Sequence, residues 1–175
     1  MKTLILGIGN EILGDEGVGV HAVRALQTEC LPEDVEAQEE GTAILEALPA
    51  LETPQRIIIV DAMQAQGPAG SVYRTCLADC SGSALIASMH GFDIFRVLAL
   101  AGRTDTPEII VFGVEPAVID WALELSPAVQ EAMPYLLAAV NREITSEITR
   151  GEQQRLCRKF SSLNGSAGVN ESPTA

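Results

Sequence analysis

Five apolar stretches of strand length, residues 3–8, 35–38, 56–60, 70–75 and 108–114, are separated by segments whose apolar residues recur at helical spacing. Within residues 17–30, Val20, Val23 and Leu26 fall on one side of a helix; Thr42 can cap a helix running through Leu51. Phe92, Phe95, Leu98 and Leu100 mark another helix over residues 91–101, and a last one is expected from Pro127 to about Arg150. Beyond Gly151 the periodicity stops and the chain turns small and polar, so the pattern predicts one α/β domain over residues 1–150 and a flexible polar tail over 151–175.

Near-continuous runs such as Ile57-Ile58-Ile59-Val60 belong to strands buried on both faces. Alternation of such strands with helices predicts a three-layer α/β/α sandwich around a mostly parallel, five-stranded sheet. The stretch around Tyr73 follows its predecessor through a Gly/Pro loop rather than a helix. It can therefore pair antiparallel and make the sheet mixed.

Composition narrows the function. With 175 residues, 47% hydrophobic, and a mean hydropathy of +0.20, the chain can bury one substantial core. Its 11 Lys+Arg against 24 Asp+Glu give a net charge of -13, which disfavours nucleic acid and anionic membrane as partners. The opening apolar run reaches only about Ile8, too short for a signal sequence or a membrane span, so a cytoplasmic protein is expected. Cys30, Cys76, Cys80 and Cys157 are spread thinly and read as isolated thiols, since no second cysteine or histidine pair completes a zinc tetrahedron.

The candidate chemistry begins where the first strand runs into Gly7-Ile8-Gly9-Asn10 and on to Asp15-Glu16-Gly17-Val18-Gly19. A glycine-rich turn ending on two acids suits a cation rather than a phosphate. The third position of a dinucleotide fingerprint is Ile12, and no P-loop lysine or Gly-x-Ser-x-Gly elbow occurs. In a parallel sheet, ligands bind beyond the carboxyl ends of the strands. Glu16 after the first strand, Asp61 at the end of the third and His90 before a helix are placed there, and two carboxylates with an imidazole suit a divalent transition metal. His21, one turn past Glu16, could face solvent or the same site. Each residue also has a duller role: Asp15 and Glu16 complement the helix dipole by roughly 0.3–1 kcal/mol, Asp61 could bond the turn beyond it, and His90 could begin its helix.

These motifs taken in order resemble the hydrogenase maturation endopeptidases. Gly7-Ile8-Gly9-Asn10…Asp15-Glu16-Gly17-x-Gly19 is similar to that family's N-terminal signature, Val60-Asp61-Ala62 to its strand-ending aspartate, Ser88-Met89-His90 to its Ser-x-His segment and Gly113-Val114-Glu115-Pro116 to its late turn. The resemblance implies an endopeptidase that removes a C-terminal extension from the large subunit precursor of a nickel-iron hydrogenase after nickel insertion. It also implies nickel ligation through Glu16, Asp61 and His90, and substrate contacts at Gly41 and Thr42. Where the family shows Asp-Gly-Gly-Thr, this chain has Glu39-Glu40-Gly41-Thr42, so either Glu39 or Glu40 could supply the carboxylate.

Two mechanisms use the same ligands. Bound metal could polarise the scissile carbonyl or acidify a water, or nickel already carried by the precursor could be the recognition element. The second explains why processing follows metal insertion and is preferred. A nickel metallochaperone or sensor that does not cut, or a phosphorylase-like or peptidyl-tRNA-hydrolase-like α/β protein, are the competing readings, and the acidic opening loop opposes the last two. A monomer or weak oligomer is expected.

Overall fold

The computed structural model describes residues 2–42, 44–47, 49–76 and 107–164, with residues 44, 45 and 147–164 described by backbone alone. Five strands, β1 (Thr3–Ile8), β2 (Val35–Gly41), β3 (Arg56–Ala62), β4 (Val72–Cys76) and β5 (Glu108–Val114), form one sheet in the order β2-β1-β3-β5-β4. β1 pairs in parallel with β2 and β3, and β3 with β5. β4 is antiparallel to β5, aligning Tyr73 with Gly113, so the sheet is mixed as its connection without a helix predicts.

β1 and β3 are buried along their whole length, and alternate side chains feed two apolar layers. Ile5, Ile58, Val60, Ile110 and Phe112 pack under α1 (Val18–Gln27) and α2 (Pro127–Asn164), which contribute Val23, Leu26, Val129, Leu136 and Val140. On the other face Leu4, Leu6, Ile57, Ile59 and Ile109 meet Ala47 and Leu51. The helix expected over residues 91–101 lies outside the described residues.

Two helical expectations change. In place of a helix from Thr42 through Leu51 there are two short 3-10 segments, Ile44–Ala47 and Ala50–Glu52. Pro49 stands between them; it has no N–H for an i→i−4 bond, and its ring obstructs the carbonyl four residues back. The final helix does not stop near Arg150 but continues to Asn164. Glu152, Gln153, Gln154, Arg155 and Leu156 are good helix formers, so propensity carries the backbone past the point where apolar periodicity ends.

One buried cation sits at the amino ends of the strands. The Arg56 guanidinium, 1% exposed, pairs with Glu108 at 3.2 Å and with Glu143 of α2, whose backbone carbonyl also accepts from it at 3.1 Å. Arg74 reaches the other Glu143 oxygen at 2.6 Å. Bonding to Arg74 holds the Glu143 carboxyl below the usual carboxylate range, outweighing the upward push of burial. The carboxyl ends of the strands, opposite this network, are left for the site.

Candidate functional site

Between β1 and β3 the chain reverses its direction of travel across the sheet, which makes their carboxyl ends the topological switch point. β1 leaves through Gly9, whose φ of +126 suits glycine and whose Cβ, if present, would lie 1.8 Å from the Glu16 carbonyl oxygen. A Cβ at Gly19 would lie 2.1 Å from the Val60 oxygen and 2.3 Å from that of Ile8. Absent side chains at these two positions let the start of α1 seat directly on the ends of both strands. The 3-10 turn Asp15–Gly17 consequently packs against β3, the strand that carries Asp61.

The two acids of that turn have different fates. Asp15, 1% exposed, accepts backbone N–H bonds from Ala117 at 2.8 Å and Val118 at 3.0 Å on one oxygen and from Ser126 at 2.7 Å on the other. Its role is to fasten the segment leading into α2. Glu16, 6% exposed, keeps a buried Oε2 with no hydrogen-bond partner among the described residues. A buried carboxylate oxygen without a donor is costly unless a cation answers it, so this side chain fits a metal ligand.

Asp61, 1% exposed, lies near the carboxyl end of β3, and its Oδ1 accepts the Ala62 N–H at 2.8 Å, which orients the carboxylate. The structure thus brings Glu16 and Asp61 to one edge of the sheet. His90 lies outside the described residues. Among the described residues no group of three His, Cys, Asp or Glu side chains assembles a metal site. His21 turns its Nε2 out of contact with solvent, again with no partner among the described residues.

Gly41 and Thr42, together with Gly9, Asn10, Glu39 and Glu40, line a cavity of about 300 Å³ beyond the ends of β1 and β2. Gly41 accepts the Gly9 N–H at 2.9 Å and has a φ of +53, a conformation that glycine adopts readily. Glu40, where the family motif has its first glycine, keeps a negative φ, so the larger residue is accommodated without strain. Burial, then the neighbouring Glu46 charge, raises the Glu40 carboxyl above its ordinary range. Glu39 is held by Arg24 at 2.7 Å, which also pairs with Glu11 at 3.1 Å.

Two supporting residues have partners that the sequence does not name. Asp15 reads there as one of two acids suited to a cation or to a helix start. Glu115 reads as part of a turn, yet its Oε2 accepts from the N–H groups of Ala65 at 2.8 Å and Gly67 at 3.2 Å and from the Tyr73 hydroxyl at 3.0 Å. Burial pushes the Glu115 carboxyl up, but these donors more than offset it and hold it below the usual range. The loop that follows Asp61 is thereby tied to the end of β5.

An open α/β sheet with buried acids at its switch point defines a ligand-binding α/β protein whose chemistry resides in the loops. The hydrogenase maturation protease family profile matches residues 20–143. The Hydrogenase 2 maturation protease of Escherichia coli (strain K12) is 32% identical over 160 residues, covering 86% of this chain and 97% of that one. The hydrogenase expression/formation protein HupD of Rhodobacter capsulatus is 31% identical, covering 86% and 76%. Among solved structures, the hydrogenase maturating endopeptidase HybD from E. coli matches with a TM-score of 0.73 at 27% identity, over 84% of this chain and 94% of that one. The chain belongs to the hydrogenase maturation protease family, and it is an endopeptidase.

Proposed function

We propose that this endopeptidase removes the C-terminal extension from the large subunit precursor of a nickel-iron hydrogenase after nickel has been inserted. Nickel enters as part of the substrate: Glu16, Asp61 and His90 read its presence by completing its coordination. The observation that carries this reading is the buried Glu16 Oε2 without a donor, held against the strand that bears Asp61. The hydrogenase maturation names of its relatives support the same substrate.

In this reading each part of the site has a task. Ala62 fixes the Asp61 carboxylate, while the close approach at Gly9 and Gly19 fixes the turn that carries Glu16. The cavity bordered by Gly41 and Thr42, about 300 Å³, suits a short stretch of extended chain rather than a folded domain. No helix among the described residues is long and apolar enough to cross a membrane, in keeping with a substrate met in solution.

The test incubates the purified protein with nickel-loaded and nickel-free precursor and weighs the products by mass spectrometry. Shortening of the loaded precursor alone is expected. Equal cleavage of both forms overturns nickel recognition, and unchanged masses in both, with nickel transferred, would leave the metallochaperone reading.

A further inference from the structure

We propose that the lobe formed by residues 10–14 and 117–125 is the surface on which the precursor protein docks, with Trp121 and Leu123 as its anchors; this rests on the processing function proposed above. The lobe is one hydrogen-bonded unit. Gly14 N–H donates to the Ala122 carbonyl at 2.8 Å, Ala122 N–H to that of Ile12 at 3.1 Å and Asp15 N–H to that of Val118 at 3.3 Å. The Asp15 carboxylate adds its bonds to Ala117, Val118 and Ser126. Because Asp15 adjoins Glu16, the lobe and the candidate ligand share one rigid stretch of backbone.

This lobe displays apolar side chains to solvent: Ile12 at 40%, Val118 at 56%, Ile119 at 40%, Leu123 at 70% and Trp121, the only tryptophan of the chain, at 78%. Clustered exposed apolar residues mark interaction sites, and tryptophan is enriched among the residues that dominate binding energy. A protein whose end enters the site at Glu16 must lie against whatever adjoins that turn, and here the neighbour is apolar.

Charge selects the occupant. Exposed Asp120 and Glu124 alternate with the apolar residues, and the whole chain carries -13. A second copy would bring the same acids against them and be repelled, whereas a partner with an apolar patch flanked by Lys or Arg would be attracted. The precursor is assigned that surface chemistry.

The test measures cleavage kinetics on nickel-loaded precursor for the wild type and for Trp121→Ala/Leu123→Ala. KM should rise about tenfold or more while kcat stays within about twofold, since the contact lies outside the reacting centre. The melting temperature should not fall, because both side chains are exposed. Trp121→Phe should recover most of the lost KM. If the wild type cleaves and the double variant has an unchanged KM, the docking surface is wrong and the processing function stands; sedimentation showing a wild-type dimer that the variant dissolves, at unchanged KM, would instead give the lobe to a second copy. A wild type that cleaves no precursor overturns both.

Discussion

The Asp15 carboxylate accepts the backbone N–H of Ser126 at 2.7 Å, a contact between residues 111 apart in the chain that ties the start of α1 to the entrance of α2. With its bonds to Ala117 and Val118, this one side chain organises the segment that borders the candidate site. Its neighbour Glu16 is buried beside it without such donors among the described residues.

Replacement of Asp15 by Ala should therefore act on stability first. Three backbone donors lose a charged acceptor, which should lower the unfolding free energy by about 3 kcal/mol or more. Urea unfolding measures this, and a loss under about 1 kcal/mol would show that water replaces the carboxylate without penalty.

Glu16→Gln should do the opposite. Removing a buried carboxylate that lacks a donor should leave the protein at least as stable, while processing falls by about 100-fold or more through loss of a ligand. Asp61→Asn and His90→Gln should show similar losses of processing. Thermal melts paired with precursor cleavage read both effects; wild-type cleavage by all three variants would remove these residues from the site.

Glu143 gives a pH dependence with a definite sign. Its carboxyl titrates below the ordinary range in the folded protein because Arg74 and Arg56 hold it ionised. The stabilisation is then fully present above the unfolded carboxylate value of about 4.3 and is lost as pH falls through the lower folded value. Wild type should exceed Glu143→Gln in urea midpoint at neutral pH, and the gap should close in acid. A gap that persists undiminished to pH ~2 would contradict the assignment.

Deleting residues 152–175 should leave processing unchanged and shift the melting temperature by no more than about 2 °C. Among the described side chains, the last of α2 to enter the core is Ile144, so the helix is anchored well before the deletion. A marked loss of cleavage would assign this segment a role in binding substrate.

Much of this molecule was legible along the chain because the signals are local. The Leu and Ile run of residues 3–8 and the Ile and Val run of 108–114 mark β1 and β5 at the ends observed, since a strand buried on both faces must be apolar at nearly every position. The antiparallel placement of β4 follows from a connection without a helix, and the glycines around Glu16 announce a close backbone approach. The break into two 3-10 segments is written in the sequence as well, since Pro49 opposes a continuous helix more strongly than the apolar spacing around it favours one.

What residue order by itself determined is thus the set of strands, their class of sheet and the edge where Glu16 and Asp61 fall. Only the tertiary structure decided that adjacent Asp15 and Glu16 do different work, and that Glu115 serves the loop after Asp61 rather than its own turn. The physical reason is distance along the chain: the donors that satisfy Asp15 and Glu115 come from residues 42 to 111 positions away. Neighbours in sequence set local conformation, whereas the partners of a buried carboxylate are set by packing that brings remote segments together.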